Sequence, residues 1–340
     1  MIIIEPMKRL NHIFQKLNIL IRKVLMYYFP GTATYWDLST PCQINRGKTI
    51  LGKYYLDFGA KYLYPGSITK SGIPKFTLSF KKDIFHPTVI CSYALAIYSR
   101  MSHKEFTEEK LKAQFFAQAD WLVENQQNLI NGAGWILNFN VPEYSINEPW
   151  ISALTQGEAI SVLCRAYDIS KNEIYISSAE KALIPFQYSV ASGGLINYFD
   201  DNLILEEYPS GRANVTLNGF ISAIFGLNDL YLINQNLLVK KLYDTCIESL
   251  NKIIKFFDVG YWTQYNLYEF PKVNLASIKY HKLHTEQFKA LYDLTGNNSF
   301  KYYYERWNNY LRSFPNRNRA LYYKLWTTFK DFIYLKFQQN

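Results

Sequence analysis

From Pro87 onward, apolar residues recur at helical intervals, and polar turns cut the pattern into segments of similar length. Leu111, Phe115, Ala119 and Leu122 follow Ser102 and Glu105, which stand at the spacing of a capping box. Ser170 and Glu173 repeat that spacing between two predicted helices, 155–169 and 173–184. Further helices are expected at 215–233, 236–256, 276–294 and 299–313. Residues 32–86 read differently. There KYYLDF and KFTLSF are short apolar runs, and Pro65-Gly66 and Ser71-Gly72 are turn signals, which predicts strands or hairpins. The chain thus divides into an amphipathic segment 1–31, a β-hairpin-containing region 32–86, a helical domain 87–315 and a basic amphipathic tail 316–340.

An internal echo refines the fold class. Ala166-Tyr167-Asp168-Ile169, Leu227-Asn228-Asp229-Leu230 and Leu291-Tyr292-Asp293-Leu294 each close a predicted helix before a polar turn, with the aspartates 61 and 64 positions apart. A repeat of that length holds two helices and their loops, so it suggests stacked helical hairpins. The expected architecture is mainly α, an α/α toroid of hairpins with a small N-terminal β-containing region. Funnels of such toroids commonly bind extended polysaccharides.

Composition narrows the function classes. With 340 residues, 49% of them hydrophobic, the chain can bury a large core and is not a disordered segment. The aromatic share, 17%, suits either ordinary packing or a carbohydrate groove in which rings stack on sugars. A formal net charge of +9 suits a polyanion or an anionic membrane surface. Nucleic acid is not the expected partner, because zinc-finger spacing, an RNP-like strand and a dense basic arm are all missing. An acidic glycan explains the scattered basic residues. Cys42, Cys91, Cys164 and Cys246 lie far apart, which points to buried thiols rather than a disulfide framework or metal site. Lys8, Arg9, Lys16, Arg22 and Lys23 interrupt every apolar run near the start, so the expected location is cytoplasmic. LNHIFQKLNILIRKVLMYYF and the tail after Asn316 each read as an amphipathic helix, resting on a membrane surface or docked on the protein's own core.

Two segments carry the candidate chemistry. In Leu205–Leu230, Glu206 and Glu207 precede Tyr208-Pro209 and a polar turn with Gly211, Arg212 and Asn214. Asn218-Gly219 then interrupts an apolar helix. Glycine there costs about 1 kcal/mol relative to alanine, so close packing or ligand approach is expected. In Tyr261–His284, Tyr280 and His284 share a helix face, with Tyr265, Tyr268 and His281 nearby. The adjacent glutamates read equally as a solvated surface, and the two histidines as core packing. HxxH without a placed third ligand does not make a metal site, and no metal is expected.

EEYP, LNGF and GLNDL, followed by LASIKYHKLHTEQFKALYDLTG, resemble the C-terminal catalytic region of D-glucuronyl C5-epimerases. ADWLVENQ, Gly134-Trp135 and PWISALTQGEAISVLCRAY add to the likeness, and KYYLDF, Gly72–Pro74 and HPTVICSYALAIYSR look like the N-terminal part of bacterial relatives. The resemblance runs over about residues 50–313. It implies inversion of carbon 5 of glucuronate within a polymer to give iduronate, without a cofactor. It implies Glu207, Tyr208, Tyr265 and Tyr280 as the catalytic set, with Glu207 and Tyr280 flanking the sugar. His86, Trp150, Gln156, Arg212, Asn218, His281 and His284 are the expected substrate-binding residues. Members of the family often pair, so a homodimer is expected.

This sequence departs from the family where Tyr268 replaces an arginine expected to bind the substrate carboxylate; Arg212, Lys279 and Lys282 are the candidate replacements. His86 and Ser92-Tyr93 are further departures. They fit a different uronic-acid polymer, such as a capsular or exopolysaccharide, or a glycan-binding relative that has lost catalysis. A lyase, which shares the carbanion but expels the carbon 4 substituent, is the other alternative.

Overall fold

The computed structural model describes residues 21, 24–28, 50–78, 81–101, 108–270 and 272–337, without the side chains of 108 and 328–337. The capping-box pair Ser102–Glu105, Cys42 and most of the N-terminal amphipathic segment lie outside the described residues.

The fold is mainly α. Among the described residues four hairpins follow one another: α1 (Pro87–Met101) with α2 (Glu108–Glu124), α3 (Ala153–Ser170) with α4 (Glu173–Leu183), α5 (Leu217–Asn234) with α6 (Leu237–Ile253), and α7 (Ile278–Thr295) with α8 (Asn298–Arg312). A last helix, α9 (Phe314–Phe337), packs on α8. The first helices of successive hairpins stand side by side, α1 on α3, α3 on α5 and α5 on α7, so they form an inner layer with the second helices behind them. This layering explains the sequence patterns. In α5 every residue from Leu217 to Leu230 is buried, as a helix covered on all sides requires, whereas α6 buries one stripe.

The echo seen in the sequence falls on three successive inner helices, α3, α5 and α7. Its aspartates do different work. Asp229 forms a buried ion pair with Arg165 at 2.5 Å, which ties α5 to α3. Asp168 accepts from the Leu51 backbone N–H and from Lys171. Asp293 pairs with Lys289 one turn earlier on its own helix. α3 approaches α5 closely, Gly157 meeting Ala223 and Gly226 backbone to backbone.

Of the expected β-hairpin-containing region 32–86, the structure describes 50–78 and 81–86, and there strand is limited to isolated bridges. Tyr54, Tyr55, Leu56, Asp57 and Phe58 are all buried, with none of the alternation a half-buried strand requires, and the segment bends into a 3-10 turn at Gly59–Tyr62. Hairpin pairing at 68–84 is reduced to the bridges Ile68–Pro74 and Phe76–Ile84. Tyr27 stacks on Trp262, and the Tyr28 hydroxyl donates to Asn318, so these two side chains dock on the protein itself. On α9, Ala320 and Leu321 are buried while Tyr322 and Trp326 remain exposed.

Among the described residues three short antiparallel ladders lie between helices: β1 (Gln127–Asn128) with β2 (Ala133–Gly134), β3 (Ile196–Phe199) with β4 (Asn202–Leu205), and β5 (Val215–Thr216) with β6 (Asn266–Leu267). The last pairs Val215 with Leu267 and Thr216 with Asn266, and the Leu217 N–H donates to the Tyr265 carbonyl. Two segments about fifty residues apart, both singled out by their sequence, are thereby fixed against each other. No described helix is long and apolar enough to cross a membrane.

Candidate active site

A cavity of about 540 Å³ opens over the inner helices, within the roughly 300–1,000 Å³ usual for small-molecule sites. Its wall includes Glu207, Tyr208, Tyr280, Asn218, His86 and Trp150 from the expected set. Tyr265 stands immediately behind, its ring edge-on to that of Tyr280 with centroids 4.6 Å apart. The four aromatic and acidic candidates therefore meet at one place.

Local structure explains how each arrives. Glu206 and Glu207 end the run that follows β4, and both carboxylates are buried rather than solvated. The Glu206 carbonyl accepts from the Ala153 N–H at the start of α3, and its N–H donates to the Leu195 carbonyl. Side chains of neighbouring residues in an extended run point to opposite sides, and the two glutamates divide accordingly. Glu206 accepts from the Asn214 N–H at 2.8 Å and from Asn197 Nδ2 at 3.0 Å. Glu207 turns to the cavity and accepts from Asn218 Nδ2 at 3.2 Å. Gly219 is the residue that admits it: a Cβ there would overlap the Glu207 carboxylate. Tyr280 lies in the first turn of α7, which Ser277 caps by accepting the Tyr280 N–H.

The electrostatics set the protonation states. Burial lifts the Glu207 carboxyl to about 8, Tyr208 and Asn218 hold it back by hydrogen bonding, and the nearby Glu158 charge adds to the rise. Burial and the Glu207 charge push Tyr280 to about 12, while a hydrogen bond with Tyr265 opposes them. Tyr208 and Tyr265 are raised well above the ordinary phenol value, chiefly by burial and then by Glu207. A neutral phenol and a carboxyl of near-neutral pKa thus face one cavity, a combination suited to moving a proton at ordinary pH.

His86 sits between the rings of Phe76 and Phe139, at 5.3 and 5.5 Å. Burial lowers it to about 4, and its Nδ1 has no partner. Trp150 anchors its indole N–H on the Phe139 carbonyl and turns its ring toward Tyr208. A second, more open cleft of about 390 Å³ begins on the far side of Trp150 and is walled by Pro209, Ser210 and Gly211.

Four expected binding residues are placed elsewhere. Gln156 is fully buried, accepting from the Trp135 N–H and donating to the Ala133 and Ala182 carbonyls, so its amide is consumed in joining α3 to β2 and α4. Arg212 is exposed and paired with the equally exposed Glu269. His281 and His284 are wholly buried and do not line the cavity. Thr263 Oγ1 lies 2.8 and 3.1 Å from their Nδ1 atoms, and His281 stacks on Trp262. Burial drives both imidazoles down, His281 well below its usual value and His284 to about 3, so both are neutral scaffold. Among the described residues no three His, Cys, Asp or Glu side chains are placed to hold a metal ion.

Tyr268, standing where an arginine was expected, packs on Tyr144 and Phe270. Of the three candidate replacements only Lys279 lines the cavity, and Lys61 joins it there. The sequence did not single out Lys61, Glu158, Ser222 or Gln287, all on the wall, and Ser92, noted only as a departure from the family, lies there too. Glu158 did leave a signal, as an acidic residue inside the apolar stretch of α3, 97% buried in the fold. Asn218 Oδ1 and Gln287 Oε1 are buried without hydrogen-bond partners.

The sequence profile of the family described as D-glucuronyl C5-epimerase C-terminus matches residues 128–309. The D-glucuronyl C5-epimerase of Caenorhabditis elegans is 32% identical over 215 residues, which cover 58% of this chain and 34% of the nematode protein. An uncharacterised protein of Methanocaldococcus jannaschii is 29% identical over 177 residues, covering 51% of this chain and 56% of that protein. The match spans about a third of the first relative's length and little more than half of the second's.

Proposed function

From the premise that this chain belongs to the D-glucuronyl C5-epimerase C-terminus family, we propose that it inverts carbon 5 of glucuronate residues within an acidic polysaccharide, without a cofactor. The observation that carries the reading is the meeting of Glu207 and Tyr280 on one cavity wall, linked through Tyr208 and Tyr265.

In the direction from glucuronate to iduronate, the Glu207 carboxylate takes the proton from carbon 5. The electron pair of that C–H bond passes into the adjoining carboxylate as an enediolate. The Tyr280 hydroxyl then returns a proton to the opposite face of carbon 5 and is left as a phenolate, while Glu207 is left protonated; exchange with water resets both. The reverse reaction exchanges the two roles. Burial serves this chemistry twice, since it makes Glu207 a stronger base than an exposed carboxylate and keeps Tyr280 protonated until it is needed.

The reading includes closure of the hairpins into a toroid, with the polymer lying along the cavity and the cleft beyond Trp150. A location on the cytoplasmic side, close to polysaccharide synthesis, and a homodimeric assembly belong to the same proposal.

The test is incubation in heavy water with uronate-containing polysaccharides, heparosan among them. Deuterium at carbon 5 together with iduronate, lost in Tyr280→Phe and Glu207→Gln, supports the epimerase. An unsaturated uronate absorbing in the ultraviolet identifies a lyase instead. Binding without label leaves a glycan-binding protein.

A further inference from the structure

The cavity holds a charged arrangement that the proton-transfer pair does not use. Lys61 reaches the wall from the turn Gly59–Tyr62, and its ammonium donates to Ser92 Oγ at 3.2 Å. Ser92, on α1, donates in turn to Glu158 Oε2 on α3 at 2.8 Å. Ser92 and Glu158 are both more than nine-tenths buried, so neither is a solvated surface group. The Phe58 ring lies under the ammonium, its centroid 3.9 Å from Nζ. Three elements distant in sequence thus hold one cation at a fixed place.

The remaining accessible surface of Lys61 faces the cavity, since the side chain is half-buried and lines that wall. An ammonium carries three N–H donors; Ser92 takes one, and an aromatic face attracts the charge without replacing an oxygen acceptor. A carboxylate is the ligand that completes such a site, because it supplies both the negative charge and the missing acceptors. Burial alone would drive Lys61 toward its neutral form, and Glu158 acts against that. The pair is thus poised so that an arriving anion strengthens the cation.

We propose that Lys61, positioned by Ser92 and Glu158, binds the carboxylate of the bound sugar and sets the preference for a uronate over a neutral hexose. The inference rests on the epimerase reading and deepens it. It supplies the charge that Tyr268 does not, on the wall of the same cavity that Glu207 and Tyr280 line, and a preorganised donor beside a forming enediolate is most effective. Lys61 is the binding residue; Ser92 and Glu158 act through it.

The test is equilibrium binding of heparosan oligosaccharides and their carboxyl-reduced counterparts to wild type, Lys61→Met, Lys61→Arg and Lys279→Met. Wild type is expected to prefer the acidic form by about tenfold or more, the size of a charge-assisted hydrogen bond. Lys61→Met is expected to bind both forms alike, Lys61→Arg to keep most of the preference, and Lys279→Met to keep it. A preference that survives in Lys61→Met, or disappears in Lys279→Met instead, overturns the assignment while carbon 5 exchange by wild type leaves the epimerase reading standing. Wild type that binds neither form sinks that reading and this inference together. Should Lys61→Met fail to fold, Lys61→Gln, which retains a donor for Ser92, takes its place in the same comparison.

Discussion

The Glu207 carboxylate lies against the backbone of Gly219, so closely that a Cβ at 219 would stand 2.6 Å from Glu207 Cβ and 2.9 Å from its carboxyl carbon. Gly219 is the third residue of α5, where alanine would be the better helix former by about 1 kcal/mol. Gly219→Ala therefore sets a helix gain against a clash that includes Glu207 Cβ, which moves only with its backbone. Melting temperature is expected to fall, by about 1–3 kcal/mol of overpacking less that gain, and carbon 5 exchange to fall at least about tenfold, since a misplacement of about 1 Å can cost that much or more. Full exchange in this variant would show that Glu207 does not act from its present position.

The pH dependence of exchange follows from the same carboxyl. With its pKa raised to about 8, Glu207 is mostly protonated at neutral pH and becomes the base only as pH rises. Exchange out of glucuronate is expected to climb with pH through about 8 and then level off, because Tyr280 keeps its proton until about 12. A pH–rate profile that is already flat at pH 6 would assign the base to another group.

The sequence carried the hairpin array plainly, and the reason is physical. The three inner helices α3, α5 and α7 close on the same kind of tetrapeptide at Asp168, Asp229 and Asp293, and in α5 a run buried on every side adds to the signal, whereas α7 buries only part of its surface. Glu207, Tyr208, Tyr265 and Tyr280 were named through the family resemblance, and the β5–β6 pairing shows how their two segments come to lie beside one cavity. Gln156, His281 and His284 looked like ligand contacts because polar residues on apolar helices attract attention. Their hydrogen bonds instead go to neighbouring backbone or to Thr263. Lys61 escaped notice for the opposite reason, since it meets Ser92 and Glu158 from a separate element only in the folded chain.

Glu206 gives a stability measurement independent of catalysis. It is fully buried, its Oε2 lacks a partner, and burial raises it to about 8 against the restraint of Asn214 and Asn197. The folded protein therefore holds this proton at pH values where the unfolded chain has released it. The stability so gained is complete below about pH 4 and is lost as pH rises to about 8, an effect of the order of a few kcal/mol. Wild type is expected to melt at lower temperature at pH 8.5 than at pH 5, with a clearly smaller drop in Glu206→Gln. Equal drops in both proteins would mean that Glu206 does not titrate within this range.

Gly157 tests the inner layer itself. A Cβ there would lie 2.6 Å from Ala223 Cα and 2.7 Å from the Ser222 carbonyl oxygen, and Gly226 on α5 faces the same crossing. Backbone atoms cannot rotate aside as a side-chain tip can, so relief requires α3 and α5 to separate. That separation also stretches the Arg165–Asp229 ion pair, which is buried at both ends. Gly157→Ala is expected to lose about 1–3 kcal/mol in denaturant unfolding despite its higher helix propensity, the range found for overpacked cores. Glu158 and Ser222 adjoin the crossing and line the cavity, so weaker glycan binding is expected to accompany that loss. An alanine variant as stable as wild type would mean that the two inner helices are not held at this distance.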